Sequence, residues 1–208
     1  MKDSQDWEQR YQAVDRLFDD EASDLLQSNE SLLQPGMQAL ALGDGEGRNG
    51  VWLAGRRLDV MSVDISPTAL ARAQSRARQQ GVSLQTRCAD ILTWQWPVSA
   101  YDLITCIFVH LPGTDRRLLH RRLQGALKPR GLVMIEGFHR RQLQRDSGGP
   151  RDADLLYDED SLTEDFAGYD ILLLEQRETE VRLAGQYQGH GCVIHFIARA
   201  GDEPRRQR

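Results

Sequence analysis

The sequence predicts an α/β domain built on a mostly parallel sheet with helices on both faces. Apolar runs with strand character alternate along the chain with helical segments, which is the order that a parallel sheet requires. A glycine-rich turn, Gly43-Asp44-Gly45-Glu46-Gly47, joins the first apolar run to the first helix after it. Two further β-rich runs, residues 170–183 and 191–198, follow near the C-terminus.

The N-terminal region, about residues 1–34, is predicted to be helical. Trp7, Tyr11, Val14, Leu17 and Leu25 recur near helical spacing, which indicates one or two amphipathic helices between residues 6 and 26. Pro35-Gly36 then ends the helical pattern. The predicted strands that follow are residues 38–42, 59–63, 83–88, 103–108 and 132–137, and the helices between them are residues 49–57, 66–80 and 115–127.

The last third of the chain has a different pattern. Residues 139–158 are rich in Arg, Gly and Asp and contain Ser147-Gly148-Gly149-Pro150, so they predict an unusually long loop. A short helix over residues 160–166 and strands over residues 170–183 and 191–198 are expected next. We expect one domain over residues 1–200 and a disordered tail over residues 201–208.

Composition and charge limit the classes of function. The 208 residues are 40% hydrophobic and 27% charged, as in ordinary soluble domains, and they contain no apolar run long enough to cross a bilayer. Three cysteines without C-x-x-C spacing favour a reducing, cytoplasmic location. The net charge of −5 gives no overall attraction to nucleic acid. We therefore expect a small-molecule partner and no nucleic-acid or membrane partner, in a monomer or homodimer.

The glycine turn has the chemistry of a nucleotide-type cofactor site. Glycines permit positive φ angles and close approach of a ligand, and the helix that follows directs free N–H groups at that ligand. Arg48 stands where a G-x-G-x-x-G motif needs its third glycine, which disfavours NAD, and no Gly-Lys-Ser/Thr follows to make a phosphate-binding loop. Asp64 ends the next apolar run about 20 residues after the first glycine, where a carboxylate can accept both ribose hydroxyls.

These residues resemble motif I and the following acidic position of the class I S-adenosylmethionine-dependent methyltransferases. Cys88-Ala89-Asp90-Ile91 resembles the position that meets the adenine, and residues 101–106 resemble the fourth strand of that family. Leu127-Lys128-Pro129-Arg130-Gly131 resembles the turn before strand five, although the family usually has glycine at Arg130. The family also usually has Cys or a small residue at Asp44.

Two segments give a finer resemblance. Gly45-Glu46-Gly47-Arg48-Asn49 and Trp7-Glu8-Gln9-Arg10-Tyr11 are most similar to the small bacterial tellurite-resistance-type (TehB-like) methyltransferases. The resemblance implies a Rossmann-like, seven-stranded, mostly parallel sheet with an antiparallel C-terminal hairpin, and S-adenosyl-L-methionine as cofactor. It also implies a lid formed by the N-terminal helical segment. The expected cofactor contacts are Arg10, Gly43, Asp44, Gly45, Arg48, Asn49, Asp64, Ile65, Asp90, Ile91 and Cys106.

Within the predicted lid, Arg10 is expected to hold the methionine carboxylate through two parallel hydrogen bonds. Trp7 and Tyr11 lie four residues apart on one helix face, so they either cover the cofactor and contact the acceptor or pack in the core. The two roles are compatible.

Candidates for acceptor binding and catalysis come from the strand ends. Ligands of doubly wound sheets lie beyond the carboxyl ends of the strands, and a general base is needed only when the nucleophile is poorly acidic. The catalytic candidates are His110, His139 and Arg140, and the expected substrate contacts are Trp7, Tyr11, His110, Glu136, His139 and His190. His120 and His195 are expected to be structural. No His or Cys spacing typical of metal ligands occurs, so no metal is expected.

The acceptor is less well determined than the cofactor. The TehB-like resemblance implies a chalcogen oxyanion or a thiol, neither of which needs a base once it is ionised. The alternatives are methylation of a small metabolite on oxygen or nitrogen with a histidine base, a cofactor-binding protein without catalysis, and an NAD-dependent oxidoreductase.

Overall fold

Seven strands form one sheet in the computed structural model, which describes residues 4–18, 20–183 and 187–202. In chain order the strands are β1 (Gln38–Leu42), β2 (Asp59–Asp64), β3 (Gln85–Cys88), β4 (Tyr101–Ile107), β5 (Leu127–Phe138), β6 (Asp170–Leu183) and β7 (Tyr187–Arg199). Their order across the sheet is β3-β2-β1-β4-β5-β7-β6. The first five strands are parallel to one another, whereas β7 runs antiparallel to both β5 and β6. The predicted sheet and its closing hairpin are confirmed.

Six α-helices accompany the strands in the described part of the chain. They are α1 (Ser4–Gln12), α2 (Asp24–Ser28), α3 (Arg48–Gly55), α4 (Pro67–Gln79), α5 (Gly113–Ala126) and α6 (Glu159–Asp165). Local chemistry explains where α4 starts, because the Ser66 hydroxyl accepts a hydrogen bond from the Ala69 N–H and Pro67 occupies the first helical position. Among these helices, none is long and apolar enough to cross a bilayer.

The core lies on both faces of the sheet. On one face, Leu26 of α2 and Leu53 of α3 pack against strand residues such as Met134. On the other face, Leu119 and Leu123 of α5 pack with β-strand side chains and with α6. The prediction of helices on both faces is therefore confirmed, and the central strands are buried from both sides, as expected for a parallel sheet.

Several element boundaries differ from the predicted ones. The predicted N-terminal helix breaks after Gln12, and α2 resumes only at Asp24. Strand β5 starts at Leu127 because the residues before Gly131 pair with β4 across a bulge, where Tyr101 faces Leu127 but Leu103 faces Leu132. Strand β7 starts at Tyr187, so residues 187–190 of the predicted connection belong to the hairpin. Residues 1–3, 19, 184–186 and 203–208, including most of the predicted tail, lie outside the described residues.

The long segment between β5 and α6 is folded against the domain. It contains short 3₁₀ helices at Arg140–Gln144 and Ala153–Leu155, and Leu156 and Tyr157 are fully buried. The buried Arg116 of α5 donates hydrogen bonds to the carbonyl oxygens of Asp154 (2.9 Å) and Leu156 (3.2 Å). These contacts hold the segment next to the carboxyl end of β4.

Candidate functional site

The glycine turn follows β1 and has a backbone that favours glycine at three positions. Gly43, Gly45 and Gly47 have φ angles of 57°, 55° and 80°, which lie in the left-handed region. The turn is also tightly packed, since a Cβ atom on Gly43 would lie 2.6 Å from the Val109 Cγ2 atom. A Cβ atom on Gly47 would lie 2.7 Å from the Ala73 Cβ atom of α4. Three side chains at these positions would therefore push the turn away from its supports.

Asp64 ends β2 directly beside this turn. Its carboxylate accepts hydrogen bonds from the Gly45 N–H and the Ser66 N–H, both at 2.9 Å. The side chain is buried, and removal from water raises its pKa. A carboxylate has about four acceptor positions, so Asp64 could also accept ribose hydroxyls.

Asp44, inside the turn, forms its hydrogen bonds with other groups of the protein. Its carboxylate accepts hydrogen bonds from the Gly50 N–H at 3.1 and 3.2 Å and from the Ser62 hydroxyl at 2.5 Å. Burial raises the pKa of Asp44 to about 7. The carboxylate thus satisfies a free N–H group in the first turn of α3, and its predicted cofactor contact stays a prediction.

Tyr11, a residue of the predicted lid, lies on the glycine turn. Its side chain is buried, and a Cβ atom on Gly45 would lie 2.3 Å from its hydroxyl oxygen. The Tyr11 ring also packs in a cluster with Leu17 and Ala69 and lies 6.2 Å from the Trp7 ring. Tyr11 therefore packs in the core, and its predicted role in a lid stays a prediction. The Arg10 guanidinium lies 4.7 Å from the centre of the Trp7 ring.

Two glutamates attach the N-terminal segment to the site, and the sequence analysis missed both. Glu46, within the glycine turn, accepts hydrogen bonds from the Leu17 N–H (3.0 Å) and the Phe18 N–H (3.3 Å), and it forms an ion pair with Arg72 at 2.9 Å. Glu8 of α1 accepts a hydrogen bond from the Ser66 hydroxyl at 2.5 Å and contacts the first turn of α4. Nothing in the local sequence names these partners, because they lie 29 and 58 residues away.

Arg48 and Asn49 begin α3 and connect it to the segment before α2. The Arg48 guanidinium donates to the Glu21 carbonyl oxygen (3.3 Å) and lies 5.8 Å from the Phe108 ring centre. The buried Asn49 side chain accepts a hydrogen bond from the Ser23 N–H at 2.9 Å. Both predicted cofactor residues therefore lie beside the glycine turn, with protein partners of their own.

The predicted adenine side lies at the ends of β2 and β3. Asp64 pairs with Cys88 in the sheet, which brings Asp90 to the same edge as Asp64. The Asp90 carboxylate accepts a hydrogen bond from the Leu92 N–H at 2.8 Å, so it also stabilises a turn. Ile65 and Ile91 are half-buried at this edge, where apolar surface could contact an adenine ring.

Cys106 and His110 have environments that do not favour their predicted roles. Cys106 is fully buried in the core, and burial raises its pKa to about 12. In His110, Nδ1 donates to the Leu155 carbonyl oxygen (2.9 Å) and Nε2 accepts from the Phe138 N–H (3.4 Å). Burial lowers the pKa of His110 to about 4. Because both ring nitrogens bind backbone groups, His110 would have to break a hydrogen bond before acting as a base.

His139 and Arg140 hold the segment after β5. His139 Nδ1 accepts a hydrogen bond from the Arg141 N–H (3.1 Å), and its Nε2 lies 3.1 Å from the Glu159 carboxylate. The exposed Arg140 forms an ion pair with Asp158 at 3.0 Å. Both predicted catalytic residues therefore bind other residues of the segment after β5, and their catalytic roles stay predictions.

Glu136 and His190 lie on the neighbouring strands β5 and β7. Glu136 is buried, and the Ser23 hydroxyl donates a hydrogen bond to its carboxylate. Because the Ser23 N–H also binds Asn49, Ser23 connects Glu136 to the start of α3. The His190 side chain is exposed, and its backbone oxygen accepts a hydrogen bond from the Ser147 hydroxyl at 2.9 Å. Ser23 thus connects Glu136 to the predicted cofactor residue Asn49, whereas the hydrogen bond of the His190 backbone is to Ser147.

Comparison with known proteins identifies the central segment. Residues 39–131, from β1 to the bulge in β5, match the sequence family described as "Methyltransferase domain". These residues make up less than half of the 208-residue chain. An uncharacterized protein of Mycobacterium tuberculosis is 27% identical over 114 residues, which are 52% of this chain and 42% of that protein. The chain thus matches less than half the length of this relative.

Solved structures of the same fold cover more of the chain. A structure described as "Conversion of a Disulfide Bond into a Thioacetal Group during Echinomycin Biosynthesis" has a TM-score of 0.76 at 19% identity, and the alignment covers 95% of this chain and 92% of that one. TehB from Haemophilus influenzae has a TM-score of 0.69 at 19% identity, with 85% and 61% covered. The N-methyltransferase NodS from Bradyrhizobium japonicum, solved with S-adenosyl-L-homocysteine, has a TM-score of 0.65 at 17% identity, with 92% and 86% covered.

These comparisons confirm the predicted Rossmann-like fold, and the sequence match of residues 39–131 is to a methyltransferase domain. At 19% identity, the likeness to TehB is a likeness of fold. A cluster of three or more His, Cys, Asp or Glu side chains that could hold a metal ion does not occur within the described residues.

Proposed function

We propose that this chain transfers the methyl group of S-adenosylmethionine to a small acceptor bound at the carboxyl ends of β4 and β5. The observation that carries the proposal is the glycine turn with its three positive φ angles, joined to Asp64 through the Gly45 N–H. A Rossmann-like methyltransferase domain places a nucleoside at such a turn, with its ribose on the acid after the second strand. The domain match over residues 39–131 supports the same class.

The residues of the turn fit the parts of this cofactor. Asp64 offers a carboxylate to the ribose hydroxyls, and Ile65 and Ile91 offer apolar surface to the adenine. The N–H groups at the start of α3 face the glycine turn, where the amino-acid part of the cofactor would lie. When bound, the cofactor supplies an electrophilic methyl group on a cationic sulfur. The protein then has to position the acceptor in line with that methyl group and exclude water.

For the acceptor, we propose a chalcogen oxyanion or a thiol. The resemblance of Gly45–Asn49 and Trp7–Tyr11 to the tellurite-resistance-type enzymes supports this class, and TehB of H. influenzae shares the fold. The Arg48 guanidinium lies at the same end of the sheet and offers a positive charge to an anionic acceptor.

A second candidate is methylation of a small metabolite on oxygen or nitrogen. The observation that favours it is Glu136, a buried carboxylate near the carboxyl end of β5 that could remove a proton from a neutral acceptor. His110 is less suitable for this task because both of its nitrogens bind backbone groups.

A panel of small nucleophiles tests the proposal. The purified chain is incubated with S-adenosylmethionine and, separately, with tellurite, selenite, 2-mercaptoethanol, a primary amine or a phenol, and S-adenosylhomocysteine is measured by chromatography. Turnover with selenite, tellurite or the thiol supports the proposed acceptor class, whereas turnover only with the amine or phenol supports the second candidate. Binding of the cofactor without turnover of any acceptor would contradict both.

A further inference from the structure

A row of three polar side chains crosses the closing strands of the sheet. Glu136 of β5 pairs with His195 of β7, and His195 pairs in turn with Glu175 of β6. Residues that face each other in antiparallel pairs project to the same side of the sheet. The three side chains therefore form one continuous row, and the row lies on the sheet face that carries α2, since Ser23 at the start of that helix binds Glu136.

The row leads from the buried centre of the sheet to its edge. Glu136 and His195 are 4% and 2% exposed, whereas the Glu175 side chain is 44% exposed on the edge strand β6. His195 Nε2 lies 3.6 Å from the Glu136 Oε1 atom, and His195 Nδ1 lies 4.0 Å from the Glu175 Oε1 atom. Arg177 adds a positive charge 3.6 Å from Glu175. Each nitrogen of the buried ring thus faces a different carboxylate.

A purely structural role does not account for His195. In the part of the chain that the structure describes, neither ring nitrogen has a hydrogen-bond partner, and a buried polar atom in that condition destabilises a fold. The next residue on the same face of β7, Ile197, is an ordinary apolar core residue. An apolar side chain at position 195 would fill the space without this cost. A histidine between two carboxylates has a use when a proton has to move.

We propose that Glu136, His195 and Glu175 form a proton relay from the acceptor site to the surface, a role that rests on the proposed function. In the reaction, a neutral acceptor forms a bond to the methyl carbon while the carbon–sulfur bond breaks, and the electron pair of that bond remains on sulfur. The acceptor proton passes to Glu136. As the side chains close the 3.6 and 4.0 Å separations to hydrogen-bond distance, His195 takes this proton at Nε2 and releases its own from Nδ1 to Glu175, which exchanges it with water.

Glu136 lies where such a base is needed. It is two residues before the end of β5, and its backbone oxygen accepts a hydrogen bond from the Phe108 N–H directly after β4. The Ser23 hydroxyl orients its carboxylate, and Ser23 also binds Asn49 at the start of α3. In this arrangement Glu136 is the catalytic base, and His195 and Glu175 carry its proton to the surface.

The test compares a neutral acceptor with an acceptor that is already ionised. Initial rates of S-adenosylhomocysteine formation are measured from pH 6 to pH 10 with 2-mercaptoethanol and with selenite, for wild type, His195→Gln and Glu175→Gln. With the thiol near pH 7, we expect kcat to fall at least tenfold in His195→Gln, an order-of-magnitude expectation for a lost proton-transfer step. The deficit should disappear as the thiol ionises, and selenite turnover should stay at the wild-type rate. Glu178→Gln, an exposed glutamate three residues further along β6, is the matched control.

Equal losses with both acceptors, or a loss with the thiol that persists at pH 10, would refute the relay and leave the proposed function standing. No turnover by the wild type with any acceptor would instead contradict the proposed function, and the relay with it. A second measurement needs no acceptor. The Tm of His195→Leu should equal or exceed that of the wild type, because the variant removes two buried nitrogens that have no hydrogen-bond partner in the described structure. A clearly lower Tm would show that His195 is a structural residue.

Discussion

Replacement of Asp44 by asparagine should stabilise the protein at alkaline pH but much less at acidic pH. The carboxylate is buried under the glycine turn, and burial raises its pKa from 3.8 to about 7. The protonated form is therefore favoured by the folded state, and it adds to stability below the ordinary pKa. This contribution is lost as the pH rises through about 7. An asparagine stays neutral, can accept from the Gly50 N–H and can donate to the Ser62 hydroxyl.

The size of the effect follows from the two pKa values. At about 1.4 kcal/mol per pH unit, ionised Asp44 costs the folded state about 4 kcal/mol at high pH. Between pH 5 and pH 8, the wild type should lose about 3 kcal/mol relative to Asp44→Asn. For a chain of 208 residues this difference corresponds to roughly 6–12 °C in Tm.

Urea unfolding of both proteins at pH 5, 6, 7 and 8, without cofactor, measures the difference directly. The free energy of unfolding of the variant minus that of the wild type should increase with pH and level off above pH 8. Ser62→Ala is a useful second variant, because it removes the hydrogen bond that lowers the pKa of Asp44. With Asp44 in place, this variant should lose more stability between pH 5 and pH 8 than the wild type does. A difference between Asp44→Asn and wild type that is constant from pH 5 to pH 8 would refute this account of Asp44.

Two further predictions concern the glycine turn and the lid. Gly47→Ala should lower the free energy of unfolding by about 1–3 kcal/mol, because φ is +80° and the new Cβ would lie 2.7 Å from the Ala73 Cβ atom. The control is Gly55→Ala at the end of α3, where nothing lies within 4 Å of the Cβ position, and this variant should not be destabilised. Equal decreases of Tm in the two variants would contradict the packing argument. Glu46→Ala leaves the Leu17 and Phe18 N–H groups without their acceptor, which costs about 2 kcal/mol locally, so their hydrogen exchange should become about 30-fold faster. Exchange at the wild-type rate would contradict the attachment of the N-terminal segment by Glu46. Glu30→Ala, which removes a surface ion pair with Arg56, is the control.

The sheet and the glycine turn were predictable because their signals are local. Alternation of strands with helices gives the parallel order, and the glycines with Asp64 follow one another within a single strand–turn–helix–strand unit. Strand β6 was predicted at residues 170–183, where the structure has it. The ends of strands were harder to predict where pairing with a neighbouring strand determines them. Leu127 belongs to β5 because it pairs with Tyr101 of β4 beyond the bulge.

The surroundings of the candidate side chains were harder to predict because their partners are distant in sequence. In the sequence, Glu46 has the character of an ordinary turn residue. The structure shows that its carboxylate accepts hydrogen bonds from the Leu17 and Phe18 N–H groups. His110 reads as a base because it follows a strand, but the buried segment around Leu155 occupies its Nδ1 atom. His195 reads as a core histidine, and only strand pairing places it between Glu136 and Glu175. Strand-end position selects candidates, whereas hydrogen-bond partners decide what each candidate can do.

Calorimetric titration of S-adenosylhomocysteine into wild type, Asp64→Asn and Asp64→Ala tests the central claim most directly. Loss of two hydrogen bonds to a charged group should weaken binding by about 100-fold or more in Asp64→Ala. Asp59→Ala, at the exposed start of the same strand β2, should bind as the wild type does. Wild-type affinity in a folded Asp64→Ala variant, or no binding to the wild type, would contradict the proposal that the glycine turn and Asp64 hold the methyl donor.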